Sequence, residues 1–458
     1  SLITHLLNNI GISSYLTIHK VHWVANVCTF CFLITFVFQV IALFMAKDDP
    51  ERLFECFSVL AFCGMGVLKV LSLRRSQKSW RKLLTQITFL ENTQLSKDPI
   101  SYAEYQSDSE EGDNFSDSIS IYTNKFRNTA SILTRLYNFT AGLFITSPFV
   151  EHFLCKIRGL ECQAYPHILP IWAPLDGLSI FGYIVTVLCE IVSAVYCVTI
   201  HIVFDLIAIG VMIFVCGQFS MLRHYSSRIG GKGRQCNISK RRDDRARCRI
   251  IRCHGTNNLL VNSITELNKL LNDIIGVYFF VATLTLCSVA LRLKSEDMST
   301  MQLVSLTQYM CATLTQLFLF CRYGDAILNE SSMGMGQGPF AAASWCLSPR
   351  VRRDLTLLSA GMVNVRRLRA GPFNFLDLPS FIQVRIVIEI NNFSHLFKGL
   401  ISNKSRIHFF NYICKGLSIQ SLKFSSRRDT TMLPEASAPS QDPSYNRFVS
   451  NSVLQLII

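Results

Sequence analysis

Few residues in this chain have both the types and the spacing that chemistry requires. His201 and Asp205 are four residues apart, so on a helix their side chains would share one face and could ligate a metal ion. Cys28 and Cys31 form a CxxC pair, but no second pair completes a zinc site. No nucleophile lies beside a base in a plausible place. The sequence therefore predicts no enzyme, no cofactor and no metal centre.

The elements that would hold such residues are helices, because six stretches are apolar enough to cross a bilayer. A hydrocarbon core about 30 Å thick needs roughly 20 apolar residues in a helix that rises about 1.5 Å per residue. Only 17% of the residues are charged, against roughly 25% in soluble chains. The sequence predicts an all-α membrane protein with spans at 23–45, 53–73, 130–150, 178–222, 270–293 and 298–321.

The length of the fourth stretch decides how its polar residues are interpreted. Residues 178–222 would form a helix about twice as long as the bilayer core is thick, so the helix must project into water on one side. Counting inward from its start puts His201 and Asp205 at or beyond the inner interface. Glu190 falls near mid-membrane, where an ionisable group faces either a ligand cavity or a hydrogen-bonding partner. In the second span, Lys69 is expected to snorkel to an interface.

The net charge of +14 is concentrated between the spans, which indicates membrane orientation and not nucleic-acid binding. The loops on one side, 74–129, 222–268 and 322–377, hold most of these Lys and Arg residues, and the short loops on the other side hold few. Lys and Arg accumulate in the cytoplasm. The sequence thus predicts a cytoplasmic N-terminus, which is opposite to G-protein-coupled receptors.

Two polar segments between spans are interpreted as solvated loops. The first, 74–129, opens basic and turns acidic at 108–117, and the second, 223–252, is strongly basic. In the outer loop after the third span, Cys155 and Cys162 could form a short disulfide bond.

Short motifs along the chain resemble those of insect odorant receptors, in the order in which that family has them. Before the fifth span, His254 is followed by Leu259-Leu260 and Leu267-Asn268. Around the fourth span stand Leu169-Pro-x-Trp172-x-Pro-x-Asp176 and Gly217-Gln-Phe219-x-x-Leu222. The most specific series is C-terminal: Cys321-Arg-Tyr-Gly324-Asp-Ala-Ile-Leu-Asn-Glu330-Ser331, then Phe340 and Trp345, then Arg352-Arg-Asp-Leu355, then Arg369-Ala-Gly371-Pro-Phe373-x-Phe-Leu-x-Leu378-Pro-Ser-Phe381.

The resemblance, which covers about residues 1–384, implies a seven-helix receptor subunit in the plasma membrane of an olfactory neuron dendrite. Such subunits bind a small volatile or apolar molecule and, as heterotetramers with a co-receptor, gate a non-selective cation channel. The loop between the fourth and fifth spans is shorter than in the co-receptor, which favours a ligand-tuning subunit.

The same resemblance implies where the functional residues lie. The family's pocket is among helices two, three, four and six, and the candidates here are Phe57, Phe62, Tyr137, Phe144, Phe181, Tyr183, Glu190 and Tyr309. Contacts between subunits lie mostly in a cytoplasmic anchor, for which the candidates are Gln218, His254, Tyr323, Trp345 and Phe373.

The chain departs from the family at the seventh helix, which should line the pore. This helix starts correctly near Leu378, but the resemblance stops after Gln383, and Arg385 and Glu389 follow. Charges near a helix centre cost about 2.5–3.5 kcal/mol each on insertion scales, so no pore residues are assigned. Residues 385–458 are predicted to be an unrelated disordered tail, and we interpret them as sequence from a retained intron.

Two alternative functions stay open. A gustatory-type ligand-gated channel is the nearer one, because the hallmark of that family lies in the seventh helix, which is replaced here. A membrane transporter would favour inverted repeats and helices broken by Gly or Pro at matching places, and neither is visible in the sequence.

Overall fold

The computed structural model describes residues 21–48, 50–95, 115–157, 159, 166–172, 179–230, 238–292, 300–332, 335–342, 344–363, 367–372 and 374–384. Most of them are helical. The long helices are α1 Val21–Met45, α2 Pro50–Arg75, α3 Gln77–Leu95, α4 Phe115–Ile157, α5 Ile180–Ser227, α6 Lys240–Arg292 and α7 Thr300–Ser332. They are followed by α8 Gln337–Ala341, a 3-10 turn Ser344–Cys346, α9 Pro349–Met362 and the strands β1 Arg369–Ala370 and β2 Asn374–Phe375. The tail that begins at Arg385 lies outside the described residues.

Each predicted span lies almost entirely within one of these helices. Among the described residues, α1, α2, α5, α6 and α7 contain a stretch long and apolar enough to cross a membrane. The predicted third span, 130–150, lies inside α4, a 43-residue helix that is not among these five. The all-α membrane architecture is therefore as expected.

The interpretation of the polar segments as loops is wrong for a large part of them. Within 74–129, α3 is helical, and α4 already begins at Phe115. Within 223–252, α6 begins at Lys240 and continues for 53 residues, about 80 Å at 1.5 Å per residue. Residues 96–114 lie outside the described residues. The spans of the sequence prediction are therefore the apolar parts of longer helices.

The long helix α5 lies at the centre of the fold. It packs against α1, α2, α4, α6, α7 and α8, and all residues from His201 to Cys216 are buried. A helix that is apolar on every side is stable only when it is surrounded. Nearer its start, Ile184, Leu188 and Val192 are exposed four residues apart, so one face of this part is available to lipid.

A small hairpin joins α9 to the start of the last helix and rests on α6. Strands β1 and β2 pair antiparallel, Arg369 with Phe375 and Ala370 with Asn374. The Gly371 amide donates to the Asn272 carbonyl at 2.9 Å, and Gly371 has φ +76°, which a Gly adopts without strain.

The described chain ends in the first turns of a helix. Residues 378–384 are helical, and the Asp377 carboxylate accepts from the Ser380 amide at 3.0 Å and from the Ser380 hydroxyl at 2.7 Å. Asp377 is thus an N-cap. The helix begins where the seventh span is predicted to begin.

Candidate functional site

Four of the predicted ligand-binding residues form one aromatic cluster around His201. The Phe62 ring stacks on the imidazole with centroids 4.3 Å apart, and it meets Tyr309 edge-on at 6.1 Å. Phe144 also meets Tyr309 edge-on at 6.0 Å, and the Tyr137 ring lies 6.2 Å from that of His201. The rings come from α2, α4 and α7, and His201 from α5. Those are the helices that contain the second, third, sixth and fourth predicted spans.

A glycine brings α2 and α5 close together beside this cluster. A Cβ atom on Gly66 would lie 2.8 Å from the Cys197 sulfur, 3.2 Å from Phe32 and 3.5 Å from His201 Nε2. The absence of a side chain therefore lets the two helices approach, and Lys69, one turn below on α2, reaches across to α5.

A buried polar network lies directly below the aromatic cluster. The Lys69 ammonium donates to Asp205 Oδ1 at 2.7 Å and to His201 Nδ1 at 3.0 Å. The other carboxylate oxygen accepts from the Tyr137 hydroxyl at 2.7 Å and from the Gln316 amide at 2.8 Å. We name these five residues the buried polar network. It joins α2, α4, α5 and α7.

The hydrogen bonds fix the protonation pattern of the histidine. Because an ammonium group can only donate, His201 Nδ1 must accept, and the Nε2 proton is then directed at the Phe62 carbonyl 3.2 Å away. The imidazole is therefore neutral in this arrangement. The same ring thus connects the ion pair on one side to the aromatic cluster on the other.

The expectation that Lys69 snorkels to an interface is wrong. Its exposed fraction is 1%, and that of Asp205 is 0%. The ammonium also lies 5.3 Å and 5.8 Å from the ring centroids of Phe204 and Tyr278. Removing one partner of a buried ion pair strands a charge and costs about 3–5 kcal/mol, so the pair belongs to the core of the fold.

His201 and Asp205 do not form a metal site here, since both are bonded to Lys69. Within the described part of the chain, no group of three or more His, Cys, Asp or Glu residues is placed to hold a metal ion.

Glu190 has hydrogen-bonding partners in the segment before α5. Its exposed fraction is 0%. The carboxylate accepts from the amides of Ile168 and Leu169 at 2.8 and 3.3 Å and lies 2.8 Å from His167 Nδ1. Tyr183 supports the same segment, because its hydroxyl donates to the Pro166 carbonyl at 2.9 Å. We call Glu190, Tyr183 and residues 166–169 the outer clamp.

The other candidates are spread over the surface and the interior. Phe181 is 75% exposed, and Phe57 is half-buried on α2. Gln218 is buried beside Tyr122, and Tyr323 is buried with its hydroxyl 2.7 Å from that of Thr129. A role of these two in assembly would have to be indirect.

Of the remaining anchor and disulfide candidates, two are exposed and two lie outside the described residues. Trp345 is 62% exposed, and His254 is exposed with Asn258 bonded to its ring at 2.9 Å. Phe373 and Cys162 lie outside the described residues. Cys155, in the last turns of α4, is disulfide-bonded.

The sequence interpretation missed the Lys69–Asp205 pair, although a signal was present. The two residues have opposite charges and lie within two apolar helices. Counting depth along one helix at a time does not show that the two charges face each other. The roles of Gln316 and of the neutral His201 can be recognised only after the positions of Lys69 and Asp205 are known.

Comparisons with known proteins agree with this architecture. The family model described as 7tm Odorant receptor matches residues 49–385. Odorant receptor 13a of Drosophila melanogaster is 22% identical over 270 residues, which cover 56% of this chain and 63% of that receptor. Odorant receptor 82a of Drosophila melanogaster is 21% identical over 344 residues, or 74% of this chain and 82% of the receptor.

Two solved structures share the fold. The insect olfactory receptor OR5 from Machilis hrabei aligns with a TM-score of 0.59 at 14% identity and covers 82% of this chain and 88% of that one. The same receptor in complex with eugenol aligns with a TM-score of 0.60 at 13% identity, over 81% and 87% of the two chains. Because the family model spans well over half of the sequence, the chain is a multi-pass membrane protein that belongs to the 7tm Odorant receptor family, a family of receptors and not of enzymes.

Proposed function

We propose that this chain is an odorant receptor subunit that binds a small, mostly apolar ligand at the aromatic cluster. Together with a co-receptor in a heterotetramer, it would gate a non-selective cation channel in the plasma membrane. The observation that carries the proposal is the linked set of rings of Phe62, Phe144 and Tyr309, each only half-buried, in a chain of this family.

The chemistry of the cluster favours an apolar ligand with few polar atoms. Each Å² of apolar surface removed from water contributes about 25 cal/mol, so 150–200 Å² of contact supplies about 4–5 kcal/mol. The Lys69 ammonium makes two hydrogen bonds and faces two aromatic rings, and it is therefore not free to bind a carboxylate ligand. A solved relative is in complex with eugenol, and a neutral molecule of comparable size is the class that we propose here.

The orientation that we propose has the N-terminus in the cytoplasm. The excess of Lys and Arg in alternate loops supports it. So does the disulfide-bonded Cys155 near the end of α4, because disulfides persist in oxidising, extracellular surroundings. An antibody should stain a tag at the N-terminus only in permeabilised cells. Staining of intact cells would show that the N-terminus lies outside the cell and that the proposed orientation is wrong.

The ligand site is tested by current recordings from cells that also express an insect co-receptor. The residues after Gln383 are replaced by the last helix of Odorant receptor 82a, and a panel of volatile alcohols, esters, ketones and phenols that includes eugenol is applied. For an agonist so found, Phe62→Ala and Tyr309→Ala should each raise the half-maximal concentration about tenfold or more, since each removes one or more kcal/mol of apolar contact.

Phe181→Ala serves as the matched control, because it removes the same atoms from an exposed ring. Its half-maximal concentration should stay within about twofold of the unsubstituted receptor. Equal shifts of the half-maximal concentration in all three variants would contradict the proposed site. The absence of current with the whole panel would count against the proposal that the chain forms part of a channel.

A further inference from the structure

A stripe of basic residues continues the lipid-facing side of α2 beyond its apolar part. Leu68 and Leu71 are 40% and 56% exposed, which in a membrane helix places them against lipid. Arg75 stands seven residues after Leu68, and Lys78 stands seven residues after Leu71. Lys82 follows seven residues after Arg75. Seven residues are about two helical turns, so all five side chains share one face. We call Arg75, Lys78 and Lys82 the inner basic stripe.

The face is continuous across the junction between α2 and α3. The Ser76 amide donates to the Ser72 carbonyl and the Trp80 amide to the Ser76 carbonyl, both at 2.9 Å. These are helical i to i−4 bonds, so the junction keeps the helical register. On the opposite side, Trp80, Leu83 and Ile87 are buried, which fixes the direction in which the stripe points.

Within the described part of the chain, the charges of the stripe have no partner of opposite sign. All three residues are exposed, and none of them forms an ion pair with another described residue. The neighbouring Arg74 differs, because its guanidinium donates to the Thr29 hydroxyl at 3.2 Å. A solvated surface usually mixes both signs of charge; here five Lys or Arg residues lie between 74 and 82, and the next acid along the chain is Glu91.

We infer that the inner basic stripe binds the headgroup of a phosphoinositide from the cytoplasmic leaflet. Clusters of four or more Lys and Arg directly after a membrane helix on the cytoplasmic side are typical of anionic lipid binding. From Arg75 to Lys82 the stripe extends about 10 Å along the helix axis. A headgroup with several phosphates reaches outward over such a distance, whereas a phosphatidylserine headgroup concentrates its charge near the bilayer surface. The inference rests on the orientation in the proposed function.

The test is lipid binding to the full-length chain purified in neutral detergent, measured by native mass spectrometry. Titrations use dioctanoyl phosphatidylinositol bisphosphate, dioctanoyl phosphatidylserine and soluble inositol trisphosphate. The unsubstituted chain should bind the bisphosphate lipid at least tenfold more tightly than phosphatidylserine. Arg75→Gln/Lys78→Gln/Lys82→Gln should weaken that binding by about fivefold for each charge removed.

The matched control is Arg350→Gln/Arg352→Gln/Arg353→Gln, which removes the same charge from three exposed positions on α9. It should leave the binding within about twofold. Equal weakening in both triple variants, or equal binding of both lipids, would overturn the inference, because the binding would then be unspecific attraction between charges. Binding of inositol trisphosphate as tight as that of the lipid would assign the stripe to a soluble phosphate. Because the assay uses neither odorants nor current, its outcome is separate from that of the proposed function.

Discussion

At the scale of single residues, the Lys69–Asp205 pair has the largest expected effect on stability. Lys69→Met leaves the Asp205 carboxylate, which is fully buried, without its counter-charge, so the free energy of unfolding should fall by about 3–5 kcal/mol. Lys69→Met/Asp205→Leu removes both charges and should recover most of that loss. Thermal unfolding of the purified chain in detergent measures both variants.

An exposed ion pair in the same chain provides the control. The Lys269 ammonium lies 3.0 Å from Glu266 on the surface of α6, and such pairs contribute about 1 kcal/mol or less. Lys269→Met should thus unfold close to the unsubstituted chain. If Lys69→Met were as stable as Lys269→Met, the buried pair would have no role in stability.

The residue scale also shows where sequence reasoning stops. Four of the candidates from the sequence, Phe62, Tyr137, Phe144 and Tyr309, lie together around His201. Phe181, another candidate, is exposed. The sequence of α5 alone does not show which face of the helix is covered, so it could not exclude this residue. Glu190 stands out in the sequence as a charge within an apolar span, but its partners, the backbone amides of Ile168 and Leu169 and the His167 ring, are not predicted by any sequence pattern.

At the scale of elements, the outer clamp holds a short segment between α4 and α5. Glu190→Ala removes the acceptor of two backbone amides, and hydrogen bonds to a charged group contribute about 1.5–3 kcal/mol. The amides of Ile168 and Leu169 should then exchange with deuterium at least about tenfold faster. The matched control is Thr199→Ala, because the Thr199 hydroxyl donates to the Val195 carbonyl of its own helix; it should leave that exchange unchanged. Equal exchange in both variants would show that Glu190 does not hold the segment.

The contact between α6 and the hairpin depends on two glycines. A Cβ atom on Gly276 would lie 2.6 Å from Gly371 Cα and 2.8 Å from its amide nitrogen, and the backbone of a hairpin cannot yield as a side chain can. Gly276→Ala should lower the thermal unfolding temperature of the purified chain by several degrees. Gly255→Ala on the same helix meets nothing within 4 Å and should be neutral or slightly stabilising; a similar decrease in both would place the cause in α6 itself.

The lengths of the helices were the least predictable feature at this scale. Hydropathy falls where a helix leaves the bilayer, so the predicted fifth span, 270–293, begins about 30 residues after the start of α6 at Lys240. The first half of α6 nevertheless has a buried stripe at alternating spacings of four and three residues: Ala246, Ile250, Cys253, Asn257, Leu260, Ile264 and Leu267. That periodicity predicts a helix, although the strongly basic composition of the segment favours a solvated loop.

At the scale of the whole molecule, two boundaries agree with the position at which the motifs stop. The first of the two units into which the chain divides ends at Val384, and the family model ends at residue 385. The Asp377 cap and the contact of Phe381 with Phe318 at 5.5 Å between ring centroids support a seventh helix up to this point. Directly beyond it stand Arg385 and Glu389, which are unfavourable in a membrane helix. These facts support our interpretation that the residues after Gln383 do not belong to the receptor.

This interpretation predicts a difference between two forms of the chain. Expressed with an insect co-receptor, the chain as written should give no ligand-evoked current, because the helix that would line the pore contains two charges that cost about 2.5–3.5 kcal/mol each to insert. The form in which the residues after Gln383 are replaced by the last helix of Odorant receptor 82a should conduct. Surface labelling separates loss of conduction from loss of delivery, and full-length transcript sequencing should recover a message spliced directly after the Gln383 codon. A uniformly unspliced message whose product conducts would show that the tail is part of a working receptor, since a pore would then form in spite of Arg385 and Glu389.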